Sequence, residues 1–282
     1  MSVYKTHPRL PWTNWDDTLN LLKSLNFYPK TLIDVGVATD TMDLYKHFPH
    51  AEFLFVEPLV EFEPYIKELC ERFNGNYEMV AAGPKACDFT MMVTPDLGGS
   101  SLFTTRDAEN GAYAMTPRTV PMVTLDSLWN KYNLQGPALL KIDVQGGEIE
   151  VLKGAKETVK QCEVVIMEVG ITEHYVGRAV LFDYVSFMKE QGFVVWDIMH
   201  MNYNDYGLLA ETDMLFVKEN GDYRAKYQSW FTEQTKKNAV LHDNYKGVRI
   251  GDNTVKELLE SAEIKHNQEP AWQNYSGQPN QF

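Results

Sequence analysis

Short apolar runs of strand character alternate with helix-like patterns along residues 31–218 of this 282-residue chain. Such alternation predicts an α/β fold, Rossmann-like, with a mostly parallel sheet and helices on both faces. The last two strand patterns are joined without a clear helix, so we expect an antiparallel strand at or near the sheet edge. The predicted strands are 31–36, 51–58, 76–83, 87–93, 118–123, 139–144, 162–170, 193–198 and 212–218, and the predicted helices include 41–48, 61–73, 125–133 and 180–192.

The two ends of the chain differ from this middle. Residues 1–30 are predicted to be a helical extension, because Trp15, Leu19, Leu22 and Leu25 recur at helical spacing after Asn14, a candidate cap. Residues 31–218 form the predicted main domain. Residues 219–282 form a polar arm, rich in Asn and Gln near its end, with one predicted helix at 254–264. The arm is a candidate surface for self-association into a homo-oligomer.

The composition of the chain excludes some classes of binding partner. The formal net charge is −13, from 39 acidic and 26 basic residues. This charge repels phosphate backbones, so nucleic acid is not an expected partner. No apolar run approaches the roughly 20 residues that span a bilayer, and the first residues lack a signal pattern. Three widely spaced cysteines, Cys70, Cys87 and Cys162, favour a reducing, cytoplasmic location and show no metal-like spacing.

The stretch LLKIDVQGGEIEVLKGA, residues 139–155, combines a strand, a tight turn and a short helix. The apolar strand ends in Asp143 and Gln145, and Gly146 and Gly147 follow directly. Open α/β sheets bind ligands at the carboxyl ends of their strands. These two polar side chains are therefore predicted to face a ligand.

A second ligand signal lies in the first two strands. Asp34-Val35-Gly36 ends the first strand, and Glu57 ends the second, 21 residues after Gly36. An acid at this distance binds ribose hydroxyls in Rossmann-type folds, because a carboxylate offers two acceptor oxygens to two neighbouring donors. The loop GVATDT has one glycine and ends in Asp40 and Thr41, whereas a dinucleotide site needs G-x-G-x-x-G to cradle a pyrophosphate. The pattern favours a ribose-bearing cofactor without phosphate, such as S-adenosylmethionine, over a nicotinamide dinucleotide.

Four stretches resemble the FkbM-type S-adenosylmethionine-dependent methyltransferases. They are TLIDVGVATDT (31–41), FLFVEPLVEFEP (53–64), VTLDSLW (123–129) and LLKIDVQGGEIEVLKGA (139–155). The last meets the family's K-I-D-V-E-G-x-E-x-x-V-L-x-G-A pattern at Lys141, Ile142, Asp143, Val144, Gly146, Glu148, Val151, Leu152, Gly154 and Ala155. The resemblance covers about residues 31–218. It implies a seven-stranded class I methyltransferase sheet with an antiparallel last strand, and methyl transfer to a hydroxyl of a small polar acceptor, a sugar or glycan.

This sequence departs from the family pattern in two places. Val37, Ala38 and Asp40 replace the Ala, Asn and Gly of the usual D-V-G-A-N-x-G loop, and Gln145 replaces a Glu. An altered first loop is also consistent with a protein that kept the fold but lost the cofactor and serves binding or assembly. Cofactor affinity separates this alternative from an enzyme.

Transfer to a hydroxyl requires a group that takes its proton. Asp143, Glu168 and His174 are the predicted catalytic residues because each lies at or just beyond a predicted strand end; His200 is a weaker candidate. No spacing supports a metal site. The predicted cofactor-contacting residues are Asp34, Gly36, Val37, Asp40, Glu57, Pro58, Ala82, Ser101, Asp143 and Gln145.

Overall fold

A computed structural model describes residues 15–39, 41–111, 113–204, 206–226, 249–250 and 253–254. The chain divides into two compact units, Met1–Ala225 and Lys226–Phe282. The described residues of the second unit include an antiparallel strand pair, Arg249–Ile250 with Asn253–Thr254. The candidate cap Asn14 and nearly all of the predicted helix 254–264 lie outside the described residues, so the role of the arm stays a prediction.

The described residues of the first unit form strands and α-helices whose bounds follow, together with helical residues that begin at Asp222. The strands are β1 (Thr31–Val35), β2 (Glu52–Val56), β3 (Gly75–Glu78), β4 (Ala81–Ala82), β5 (Cys87–Val93), β6 (Thr116–Val123), β7 (Ala138–Ile142), β8 (Cys162–Gly170), β9 (Phe193–Tyr203) and β10 (Leu209–Lys218). The helices are α1 (Trp15–Ser24), α2 (Met42–Tyr45), α3 (Glu63–Arg72), α4 (Arg106–Glu109), α5 (Leu125–Lys131), α6 (Glu148–Lys153), α7 (Lys156–Gln161) and α8 (Leu181–Glu190). None of these described helices is long and apolar enough to cross a bilayer.

Seven strands form the central sheet, in the order β3-β2-β1-β7-β8-β10-β9. All neighbouring pairs up to β8 are parallel, and β10 runs antiparallel to both β8 and β9. The predicted fold class is confirmed, including the antiparallel strand near the edge. Because β10 is antiparallel, its first half lies at the same edge of the sheet as the carboxyl ends of the parallel strands.

The centre of the sheet is buried on both faces. Every residue of β1 and β7 is buried, and successive side chains of a strand point to opposite faces. Leu140 and Ile142 pack into one apolar cluster, together with residues of α5 to α8, while Leu139 packs into another, together with residues of α1 to α3. Strands covered on both faces have nearly continuous apolar sequences rather than alternating ones. TLIDV and ALLKI fit this description except for Asp34 and Lys141, which form an ion pair with each other.

The segment 76–83, predicted as one strand, is instead two. β3 ends at Glu78 in the central sheet, and β4 starts at Ala81 in a separate three-stranded sheet of order β4-β6-β5. The hydrophobic pattern of one segment does not show that its two halves pair with strands of different sheets. The predicted loop 94–117 also contains the short helix α4 and the first residues of β6, and α7 was not predicted.

Asp126 stabilises a helix that is distant from it in the chain. It lies in the first turn of α5, yet its carboxylate accepts hydrogen bonds from the backbone N–H of Glu157 at 3.0 Å and of Thr158 at 2.8 Å, both in the first turn of α7. It therefore acts as an N-terminal cap supplied by another helix.

We expect Asp126→Ala to lower the free energy of unfolding by about 1–2 kcal/mol, the usual cost of losing such a cap. Urea denaturation measures the change. Asp88→Ala is the matched control, because Asp88 is exposed on β5 and surface substitutions change stability by about 0.5 kcal/mol or less. Equal stability of the two variants would contradict the capping role.

Candidate functional site

Two neighbouring cavities open at the carboxyl edge of the central sheet. The first, of about 220 Å³, lies beside the ends of β1, β2 and β7. The second, of about 320 Å³, lies beside the ends of β1, β7 and β8 and reaches Asp213 of β10. Gly36, Ala38 and Asp143 line both cavities. Their position at the strand ends, where open α/β sheets bind ligands, makes this pair the candidate site.

Glu57, at the end of β2, is the acidic centre of the first cavity. Its carboxylate accepts hydrogen bonds from the backbone N–H of Leu59 at 2.9 Å and of Ala38 at 3.2 Å. Burial raises the pKa of Glu57, and these two N–H groups oppose the rise. A carboxylate has about four lone-pair sites, so Glu57 can still accept hydrogen bonds from a ligand. The apolar lining is Val35, Val56, Leu59, Phe62, Val80, Ala81, Ala82, Met91, Leu97, Leu102 and Val144.

The structure brings most predicted cofactor-contacting residues together. The first cavity is lined by Gly36, Glu57, Pro58, Ala82, Ser101, Asp143 and Gln145. Val37 lines the second cavity instead. Asp34 is fully buried and lines neither, because its carboxylate points to Tyr45 and Lys141. Asp40 lies outside the described residues.

Gly36 allows two strand ends to approach each other closely. Its φ is +80°, and a Cβ at this position would lie 1.7 Å from the backbone oxygen of Asp143. No other residue fits, because the left-handed conformation and the contact both exclude a side chain. The glycine therefore serves the approach of β1 to β7, and it brings Asp143 next to the first loop.

Lys141 is a buried cation between these strands. Its Nζ lies 3.0 Å from the backbone oxygen of Gly36, 3.2 Å from Asp34 Oδ1 and 3.5 Å from Asp143 Oδ2. Burial lowers the pKa of Lys141, but the charges of Asp34 and Asp143 outweigh it and hold the pKa above its ordinary value. Lys141 therefore stays charged and fixes the position of Asp143 at the junction of the two cavities.

Gln145 links two carboxylates at the second cavity. Its Nε2 donates to Asp143 Oδ1 at 2.9 Å and to Glu168 Oε2 at 3.0 Å. An ionised glutamate here would offer no N–H donor and would add another negative charge beside Asp143. Gln145, which replaces the glutamate of the family pattern, therefore holds Asp143 and Glu168 side by side.

The turn that carries Gln145 is itself held by two side chains. Gln145 has a φ of +58°, a conformation that non-glycine residues rarely adopt. Ser101 Oγ donates to its backbone oxygen at 2.6 Å, and the Tyr175 hydroxyl lies 2.8 Å from its Oε1. With Oε1 facing the hydroxyl, the amide is oriented so that its two N–H groups point to the carboxylates.

Glu148 closes the same turn from the other side. Its Oε1 accepts hydrogen bonds from the backbone N–H of Val144 at 3.1 Å and of Gly146 at 3.0 Å, and the Tyr184 hydroxyl donates to Oε2 at 2.6 Å. The side chain is completely buried. The glutamate of the sequence motif therefore shapes the turn and does not face a ligand.

Burial makes two acids of the second cavity unusually weak. Burial raises the pKa of Glu168 well above its ordinary value, and the neighbouring charges of Asp143 and Glu211 raise it further. Burial likewise raises the pKa of Asp213 to about 7; Asp143 adds to the rise, while Lys141 and Trp15 oppose it. An acid with a pKa near 7, as Asp213 has, can exchange protons at neutral pH.

The predicted catalytic residues separate in the structure. Asp143 and Glu168 line the second cavity. His174 is exposed and lines neither described cavity; its backbone oxygen accepts from Arg106 N–H at 3.0 Å. His174 was predicted at the site because its loop follows β8; in the structure it is the next residue, Tyr175, whose hydroxyl contacts Gln145 of the first cavity.

Several residues of the site were not predicted. Asp213 was predicted only as part of the strand 212–218, and Trp15 only as a helix residue, yet both line the second cavity, with the Trp15 Nε1 donating to Asp213 at 3.1 Å. Asp213 lies within a strand pattern, so only the antiparallel direction of β10 reveals that it reaches the edge. Within the described residues, no group of three or more His, Cys, Asp or Glu side chains is arranged to hold a metal ion.

The strand order and the paired cavities define a Rossmann-like domain of the class I methyltransferase type. The chain belongs to the FkbM methyltransferase family, because the model of the methyltransferase FkbM domain matches residues 33–195, more than half of its length. No curated protein matches the chain by sequence.

Solved methyltransferases are similar to this structure at low identity. The FkbM methyltransferase of Methylobacillus flagellatus KT is 13% identical, with a TM-score of 0.47, over 73% of this chain and 48% of that one. The magnesium protoporphyrin IX methyltransferase of Synechocystis PCC 6803 is 9% identical, with a TM-score of 0.38, over 72% and 79%. The chain thus spans about half the length of the Methylobacillus protein.

Proposed function

We propose that this protein is an S-adenosylmethionine-dependent O-methyltransferase that methylates a hydroxyl of a small polar acceptor, a sugar or glycan. The observation that carries the proposal is the junction of two cavities at Asp143. Methyl transfer needs two reactants held in contact, and two adjoining cavities provide a place for each. Membership of the methyltransferase family supports the reaction type.

The residues of the first cavity fit the cofactor. Glu57 offers acceptor oxygens to two ribose hydroxyls, and the side chains of Leu59, Phe62 and Met91 offer apolar surface to an adenine. Asp143 offers a negative charge to the cationic methionine end. When bound, S-adenosylmethionine would supply an electrophilic methyl group. The chain's own contribution is to orient the two reactants and to exclude water between them.

The second cavity suits an acceptor with several hydroxyl groups. Asp43, Asp143, Glu168 and Asp213 all line it. Carboxylates are hydrogen-bond acceptors, and sugar hydroxyls are donors in closely spaced sets. The same charges disfavour a phosphorylated acceptor. The three cysteines are free thiols, which supports the expectation of a reducing, cytoplasmic compartment.

Calorimetric titration with S-adenosylmethionine and S-adenosylhomocysteine tests the cofactor part. We expect micromolar binding, worth about 8 kcal/mol. A mass-spectrometric screen of sugars, other alcohols and amines then tests the acceptor part. Binding of neither ligand would favour the assembly function, binding of a nicotinamide dinucleotide instead would favour an oxidoreductase, and methylation of amines alone would overturn O-methylation.

A further inference from the structure

A row of three ionisable side chains crosses the wall of the second cavity. In the register of the sheet, Asp213 of β10 lies directly opposite Glu168 of β8 on one side and His200 of β9 on the other. All three line the second cavity. The antiparallel direction of β10 brings them to one level, although they lie far apart in the chain.

The carboxylate of Asp213 lies between the ring of His200 and the indole of Trp15. The His200 Nδ1 lies 3.7 Å from Asp213 Oδ2, and the same oxygen accepts the hydrogen bond from Trp15 Nε1 at 3.1 Å. The Asp213 side chain is 19% exposed, whereas that of His200 is 50% exposed. A fixed, half-buried carboxylate thus faces one ring nitrogen of an accessible imidazole, which leaves the other nitrogen, Nε2, available for proton transfer.

We propose that His200 is the general base of the methyl transfer and that Asp213 is its positioning residue. This inference rests on the proposed function. The oxygen–methyl bond forms while the sulfur–methyl bond breaks, and the acceptor's O–H bond breaks as its proton passes to His200 Nε2. The positive charge lost from sulfur reappears on the imidazolium, which the Asp213 carboxylate stabilises, as in other His–Asp pairs.

The other acids of the cavity are less suited to this role. Asp143 and Glu168 are already bridged by the amide of Gln145. Their part is to hold the acceptor's hydroxyl groups and the cofactor's cationic end.

Asp213 is surrounded by further charges that set its ionisation. Lys141 and Asp143 face it from β7, Glu168 faces it from β8, His200 faces it from β9, and Glu211 lies on its own strand. Burial and the acidic neighbours raise the pKa of Asp213 to about 7. The positioning carboxylate therefore forms as the pH rises through 7, and we expect turnover to rise across the same range.

NMR of the full-length protein labelled in its histidines tests the pair without any acceptor. The His200 ring signals are assigned by their loss in His200→Gln. In Asp213→Asn we expect the His200 ring nitrogen signals to shift, because the carboxylate that faces Nδ1 is removed. His50 is the internal control, since it is exposed on another surface. Unchanged His200 ring nitrogen signals would overturn the positioning role.

Kinetics then separates this inference from the proposed function. We expect His200→Gln to lower kcat roughly 10²- to 10⁴-fold without changing the affinity for S-adenosylhomocysteine. Asp213→Asn should lower kcat less and alter its dependence on pH near 7, because the carboxylate that titrates there is removed, and His50→Gln should leave kcat unchanged. Wild-type turnover in His200→Gln, or loss in His174→Gln instead, would refute the role of His200. Absence of cofactor binding in the wild type would refute the proposed function itself.

Discussion

Lys141→Met is expected to lower the free energy of unfolding by about 3–5 kcal/mol, the usual cost of removing one partner from a buried ion pair. The Lys141 side chain is 7% exposed and that of Asp34 is fully buried, with 3.2 Å between Nζ and Oδ1. Without the cation, Asp34 would remain buried with one oxygen bonded to the Tyr45 hydroxyl and the other without compensation. Chemical denaturation measures the loss.

The matched control is Lys153→Met. Lys153 pairs with Glu150 at 2.6 Å, but its side chain is 48% exposed, and surface pairs contribute about 0–1 kcal/mol. The double variant Asp34→Asn/Lys141→Met should regain part of the stability, because it removes the stranded charge. If Lys141→Met were no less stable than Lys153→Met, the buried pair of Asp34 and Lys141 would not contribute to stability.

Glu57→Gln is expected to weaken S-adenosylhomocysteine binding by about 10- to 100-fold, because hydrogen bonds to a charged acceptor are worth about 1.5–3 kcal/mol. The amide keeps the size of the side chain but lacks one acceptor oxygen. It also turns a donor toward a backbone N–H, since both carboxylate oxygens now accept from Leu59 and Ala38. Calorimetry measures the affinity, and thermal melting reports how much of the effect is a loosened loop.

Glu52→Gln is the control for this variant. Glu52 starts the strand that Glu57 follows, at the opposite end of β2 from the cavity. The Glu52→Gln variant should bind S-adenosylhomocysteine as tightly as the wild type does. If Glu57→Gln bound S-adenosylhomocysteine as tightly as the wild type does, Glu57 would not contact the cofactor. Its role would then be only to hold the loop.

Much of the first cavity could be predicted from sequence because its residues follow strands that neighbour one another. Gly36, Glu57 and Asp143 each follow the last residue of a parallel strand, and carboxyl ends of parallel strands meet at one edge of a sheet. The local sequence was sufficient to predict this cavity, because a few neighbouring residues show that a segment is a strand, where it ends and which side chain follows it.

The second cavity was only partly predictable for the opposite reason. Asp213 and His200 lie inside strands, and Trp15 lies on a helix nearly two hundred positions away from Asp213. Their meeting depends on the reversed direction and the register of β10, which single-strand patterns do not encode. His174 is the converse case, since it follows a strand end in the sequence but lines neither described cavity.

The amino-acid sequence by itself determined the α/β class, the family and the positions where strands end, because hydrophobic periodicity and short motifs are local properties. Only the tertiary structure decided which side chains those strand ends bring together. It showed that Glu148 and Lys141 hold the architecture, that Gln145 joins two carboxylates, and that Asp213 faces His200. Such contacts follow from strand order, register and burial, which are properties of the whole folded chain.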